Sequence, residues 1–132
     1  MDRLFLDANV LFSAAYRPDA GLLRLWKLPR AVLCSSRYAL EEARANLSTE
    51  TQRGRLAEIS AALQLFESEG GELPAGVSLP DKDAPILLAA IAARATHLIT
   101  GDFRHFGPFF GKKFVGVTIL TPADYLRRAT SR

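Results

Sequence analysis

The chain has few of the residues that build disulfide scaffolds or soft-metal sites. Among its 132 residues there is one cysteine, Cys34, and two histidines, His97 and His105. A lone thiol forms no internal disulfide, so the cysteine usage does not call for an oxidising compartment. No His/Cys cluster offers a zinc site. Neither G-x-S-x-G nor G-x-x-x-x-G-K-[ST] occurs, which leaves out nucleophile-elbow hydrolases and P-loop nucleotide enzymes. The longest apolar run, Ile86 to Ala93, is too short to span a bilayer. No charged segment leads into an apolar stretch with a small-residue cleavage site, so no signal peptide is read. The expectation is a soluble cytoplasmic protein with no membrane association.

What is present is ordinary globular material. Hydrophobic residues make up 48% and charged residues 23%, which argues against disorder. The length suits a single domain, 1–132, able to bury a core. A net charge of +3 and a pI near 9.4 permit a polyanionic partner without requiring one.

Along the chain, short apolar runs alternate with helical patterns. Leu4–Leu6, Ala31–Cys34, His97–Ile99 and Phe114–Leu120 read as strands, with a further short strand expected near Val77. Helices are expected from Val10 to Tyr16, from Leu22 to Trp26 and from Tyr38 to Leu47, the last capped by Ser35 or Ser36. Leu56, Ile59, Leu63 and Phe66 predict another helix over 55–67. Ala84 to Arg94 is apolar nearly all round and should be a buried helix. Thr121-Pro122-Ala123-Asp124 opens a final helix that runs past Arg127 and Arg128 to a frayed tail. This alternation predicts an α/β fold with a parallel sheet and helices on both faces.

The chemistry lies in the acids. Asp7 follows the buried run Leu4–Leu6, Asp81 and Asp83 precede the apolar helix, and Asp102 follows His97–Ile99. Strand ends and helix starts share one edge of such a sheet, and ligands gather there. Clustered carboxylates repel unless a cation compensates, and an oxygen-rich cluster suits Mg²⁺ or Mn²⁺. Each acid also has a plainer use. Asp83 can cap its helix and Asp102 can be a turn residue, whereas Asp7 in D-x-N shows no obvious capping need. On the helix after the second strand, Glu41 pairs with Arg44 on a solvated face, and Glu42 is the favoured inward acid. Glu41 remains the alternative.

Four stretches, LFLDANVLFSA, SSRYALEEARANL, LPDKDAPILLAA and HLITGDFRHF, occur in this order between Leu4 and about Leu120. Together they resemble PIN-domain ribonucleases, in particular the short prokaryotic PIN proteins that include the VapC-type toxins of toxin–antitoxin pairs. The resemblance implies a three-layer α/β/α fold around a mostly parallel five-stranded sheet. It implies Mg²⁺- or Mn²⁺-dependent endoribonuclease activity, an RNA substrate, an antitoxin protein partner and a homodimer or higher homo-oligomer. Asp7, Glu42, Asp83 and Asp102 match the family's catalytic, metal-holding acids. Asn9 and Thr100 match polar positions that steady them. Asp81 matches no invariant position and is kept as a water-mediated support. The sequence departs from the family at Ala43, where leucine usually follows the helical glutamate.

Arg104, His105, Lys112 and Lys113 interleave with Phe103, Phe106, Phe109 and Phe110. Such a loop either grips phosphates and stacks bases or plugs the core with its phenylalanines. Two other functions compete with the nuclease: a phosphoryl-transfer or receiver-like domain, and a non-catalytic RNA- or protein-binding module. Against the first, the acids do not open with an adjacent pair or a D-x-D, and no lysine follows a late strand in the expected way. Acids at all four positions speak against the second.

Overall fold

A computed structural model of the chain describes residues 1–68 and 70–130, so the expected tail at 131–132 lies outside the described residues. Its strands are β1 (Asp2–Leu6), β2 (Ala31–Ser35), β3 (Gln64–Leu65), β4 (His97–Ile99), β5 (Lys113–Phe114) and β6 (Val117–Leu120). Its α-helices are α1 (Ala8–Tyr16), α2 (Arg37–Asn46), α3 (Glu50–Ser60), α4 (Ala84–Ala92) and α5 (Pro122–Thr130). Gly21–Lys27 and Gly107–Phe109 are 3₁₀ turns. The described strands form one sheet in the order β3-β2-β1-β4-β6-β5, flanked by helices. Every pairing is parallel except the β5–β6 hairpin. None of the described helices is long and apolar enough to cross a membrane.

β1 is central because its residues tolerate no water on either face. Leu4, Phe5 and Leu6 are wholly buried, as expected for a parallel strand covered on both sides. The chain works outward from β1 to β2 and β3, then crosses back to place β4 on the other flank of β1. The topological switch point therefore lies between β1 and β4. Their register pairs Leu4 with His97, Phe5 with Leu98 and Leu6 with Ile99. The Asp7 backbone N–H continues the ladder by donating to the Ile99 carbonyl at 3.0 Å, which brings Asp7 level with Thr100.

The helices obey their local signals. The Ser36 hydroxyl accepts from the Ala39 N–H, Thr121 accepts from the Asp124 N–H, and α4 buries Ile86, Leu87, Ala89 and Ala90. The third helix departs from expectation. It starts at Glu50, behind a capping box in which Thr49 and Gln52 satisfy each other's backbone N–H groups. It ends at Ser60, before Leu63 and Phe66. Gln64–Leu65 instead pairs with Cys34–Ser35, and the Phe66 N–H donates to the Ser35 carbonyl. The helical spacing there is overridden by pairing to the sheet. α3 is anchored by Arg55, whose guanidinium donates to the Ala15 and Tyr16 carbonyls at the end of α1.

The sheet has six described strands where five were expected: Gln64–Leu65 adds one, and two further local readings change. Val77 lies in a turn closed by its N–H on the Pro74 carbonyl, and is no strand. The expected strand 114–120 is a hairpin, since Val115 and Gly116 both have positive φ, +50° and +84°. A two-residue turn of that hand matches the twist of antiparallel strands.

Candidate active site

The carboxyl ends of β1 and β4 open into a cleft of about 290 Å³, lined by Asp7, Asn9, Glu42, Lys82, Asp83, Gly101, Asp102, Arg104 and His105. Asp7, Glu42, Asp83 and Asp102 are thus brought to one cleft from four separate segments. Glu41 lies elsewhere, in a groove with Arg44, Glu50 and Arg53. Asp81 is exposed and does not line the cleft, nor do Lys112 and Lys113, which sit in and beside the edge strand β5.

Asp7 is the most constrained acid. Only 4% exposed, it caps α1 after all: one carboxylate oxygen accepts from the Ala8 N–H at 2.6 Å. The capping need was hidden because the helix begins two residues earlier than its apolar pattern suggested. The other oxygen accepts from the Thr100 hydroxyl at 2.8 Å and the Asn9 amide at 3.2 Å. Asn9 is itself held by the Gly101 N–H, which donates to its carbonyl oxygen at 2.8 Å. A Cβ on Gly101 would lie 3.3 Å from that oxygen, so this approach favours glycine. Burial pushes the Asp7 carboxyl from an ordinary 3.8 up to about 6, against the Thr100 and Ala8 hydrogen bonds and helped by the charges of Glu42 and Asp83.

Asp83 precedes α4 but makes no side-chain cap hydrogen bond, so capping does not explain it. Its pKa is raised by burial and by Asp102, partly offset by His105 and Lys82. Its Oδ2 is fully buried without a hydrogen-bond partner. Asp102 does serve its turn: Oδ1 accepts from the Arg104 and His105 N–H groups, both at 3.0 Å. Burial would raise its pKa, but these bonds and the His105 side chain hold it below the usual range. The His105 ring stands between the two acids, with Nδ1 2.9 Å from Asp102 Oδ2 and 3.1 Å from Asp83 Oδ2.

The aromatic loop divides its labour. Phe106 is wholly buried and plugs the core, while Phe103 is 70% exposed and meets Phe110 edge-on. Sequence reasoning missed two neighbours of the acids and one tie between the strands that lead to them. Lys82 lines the cleft, and the Tyr38 hydroxyl donates to its carbonyl at 2.7 Å. Ser35, read as a possible cap, donates its hydroxyl to the Leu6 carbonyl, tying the end of β2 to the end of β1. The spacing of Tyr38 and Glu42, one helical turn apart, was the available signal for the first of these contacts.

The donor set fits a divalent cation. Asp83, Asp102 and His105 each offer a ligand atom, all within 4.8 Å of one another, and Asp83 also carries the buried Oδ2 that has no hydrogen-bond partner. A buried carboxylate oxygen without a partner is costly, and a cation is the group that relieves it.

Comparison with known proteins agrees with this architecture. Among curated proteins no relative matches the chain. A chain of VapBC2 from Rickettsia felis, solved bound to a promoter DNA fragment, has a similar fold, with TM-score 0.64 and 17% identity over 90% of this chain and 98% of that one. A chain of FitAB bound to the IR36 DNA fragment is similar at TM-score 0.53 and 15% identity, over 90% of this chain and 94% of that one. The PIN domain family model matches residues 3–104, from the start of β1 through the acid that follows β4, and the chain belongs to the PIN domain family.

Proposed function

We propose that the chain is a Mg²⁺- or Mn²⁺-dependent endoribonuclease that hydrolyses RNA phosphodiester bonds at the acid cleft, and that it is the toxin of a toxin–antitoxin pair. The observation that carries the nuclease reading is the buried, partnerless Asp83 Oδ2 in a cleft that four acids line at the switch point of the sheet. Family membership supports the reaction class. The toxin reading and the antitoxin partner rest on likeness to the VapBC2 and FitAB chains.

Asp83 and Asp102, with Asp7 in the same cleft, would hold the divalent ion, which when bound would supply Lewis-acid stabilisation of the phosphoryl oxygens and ease deprotonation of water. The chain's own groups do the rest. Thr100 and Asn9 fix the Asp7 carboxylate, so the site reorganises little when phosphate charge develops. Glu42, on α2 and exposed to the cleft, is placed to orient the attacking water. Lys82 and Arg104 at the rim offer positive charge to a polyanionic strand.

The test is cleavage of a fluorescent single-stranded RNA, with Mg²⁺ or Mn²⁺ and with chelator. Wild type should cut only with the ion, leaving 5′-phosphate ends. Asp7→Asn should lose at least about 100-fold while keeping its circular dichroism spectrum. Equal cutting by the variant, or cutting in chelator, would overturn the assignment. Faster cutting of the matching DNA would overturn the choice of RNA.

A further inference from the structure

We infer that His105 is a nitrogen ligand of the bound ion, which makes this a mixed oxygen–nitrogen site that prefers Mn²⁺ to Mg²⁺. The inference rests on the metal-dependent reading above and goes beyond it, because the expected ligands are all carboxylates. His105 was read from the sequence only as one member of a basic, aromatic loop.

The geometry points there in three steps. First, two donors bound side by side at roughly 2.1 Å from one ion lie about 3 Å apart. His105 Nδ1 stands 2.9 Å from Asp102 Oδ2 and 3.1 Å from Asp83 Oδ2, which is that spacing on both sides. Second, the three atoms cannot satisfy one another. Nδ1 carries at most one proton, and when present it serves Asp102. Asp83 Oδ2 is then left buried with no partner, although it is within 3.1 Å of the same nitrogen. When the proton sits on Nε2 instead, Nδ1 turns a lone pair on two carboxylates. One nitrogen cannot serve both carboxylate oxygens at once, and a single cation completes all three atoms. Third, the ring is held in place. The turn built by Asp102 Oδ1 accepting from the Arg104 and His105 N–H groups fixes the backbone that carries the imidazole.

Ligation requires the neutral ring with its proton on Nε2, the usual arrangement for a metal-bound histidine. Mg²⁺ takes oxygen donors almost exclusively, whereas imidazole suits the first-row transition ions. An imidazole beside two carboxylates therefore tilts the site away from Mg²⁺.

The experiment uses the full chain, with Mn²⁺ and Mg²⁺ themselves as probes. Titration calorimetry should give Mn²⁺ binding at least tenfold tighter than Mg²⁺. Pulsed electron paramagnetic resonance of bound Mn²⁺ should show coupling to a directly bound ¹⁴N. In His105→Asn, which keeps an oxygen near the Nδ1 position, the nitrogen coupling should vanish and the Mn²⁺ preference should fall at least threefold. Circular dichroism of the variant checks its fold, and His105→Gln provides a second substitution should the first not fold. Bound Mn²⁺ without nitrogen coupling, in a chain that still cuts RNA, overturns this inference alone. Failure to bind Mn²⁺ at all overturns it together with the metal-dependent reading.

Discussion

The two ends of the β1–β4 pair hold polar groups of opposite fate. At the amino end, Thr96 accepts from the Arg3 N–H and donates to the Arg3 carbonyl, and the Arg3 guanidinium donates to the Ala93 carbonyl and lies over the Phe66 ring. Asp2 accepts from the Tyr125 hydroxyl there. At the carboxyl end, Asp7 and Asp83 are buried among other acids, both with raised pKa, and Asp83 Oδ2 has no hydrogen-bond partner. The same sheet therefore carries one end arranged for stability and one that costs stability. Proteins accept such a cost where a ligand or a reaction needs the strained groups.

The sharpest way to break this contrast is to mutate each end and read both properties. Asp83→Asn should lower RNA cleavage by at least about 100-fold, while its thermal midpoint holds or rises. Thr96→Val should do the opposite, losing about 1–3 kcal/mol in denaturant unfolding because the Arg3 N–H is left unpaired, with cleavage per folded molecule unchanged. If both variants lost stability alike, the two ends would not differ as described.

A smaller effect follows from the pKa of Asp7. Its folded value, about 6, lies above the ordinary 3.8, so ionising it opposes folding. The stability it allows is fully present below about pH 4 and is lost as pH rises through 6. Asp7→Asn removes that penalty and should be more stable than wild type by about 1–2 kcal/mol above pH 6. This is less than the full shift implies, because the new amide faces the Asn9 donor. The advantage should vanish near pH 4, and urea unfolding across that range reads it directly.

The smallest expected effect separates the adjacent glutamates. Glu41→Ala should shift stability by no more than about 0.5 kcal/mol and leave cleavage intact, since Glu41 is exposed and does not line the acid cleft. Glu42→Ala should slow cleavage at similar stability. A reversal of these two phenotypes would move the helical acid to the neighbouring position.

Much of the fold was legible because it is written in local terms. The apolar run Leu4–Leu6, the cap at Ser36 and the Thr121-Pro122 start each state their structure within a few residues. The third helix was misplaced because Leu63 and Phe66 continue a helical spacing that sheet pairing overrides, while the capping box at Thr49 went unread. The site was legible to the extent that each acid sits at a strand end or helix start. Its interior was not, because the partners of each acid come from distant segments.

By itself, then, the sequence determined the alternation of elements and the placing of acids at their ends, since periodicity and capping are short-range. Only the tertiary structure decided that Asp7 stands level with Thr100, that Glu42 and not Glu41 lines the cleft, and that the His105 ring enters between Asp83 and Asp102. Register between parallel strands joined by long crossovers is set by non-local packing. The state of a buried carboxylate depends on whatever that packing brings within a few ångströms of it.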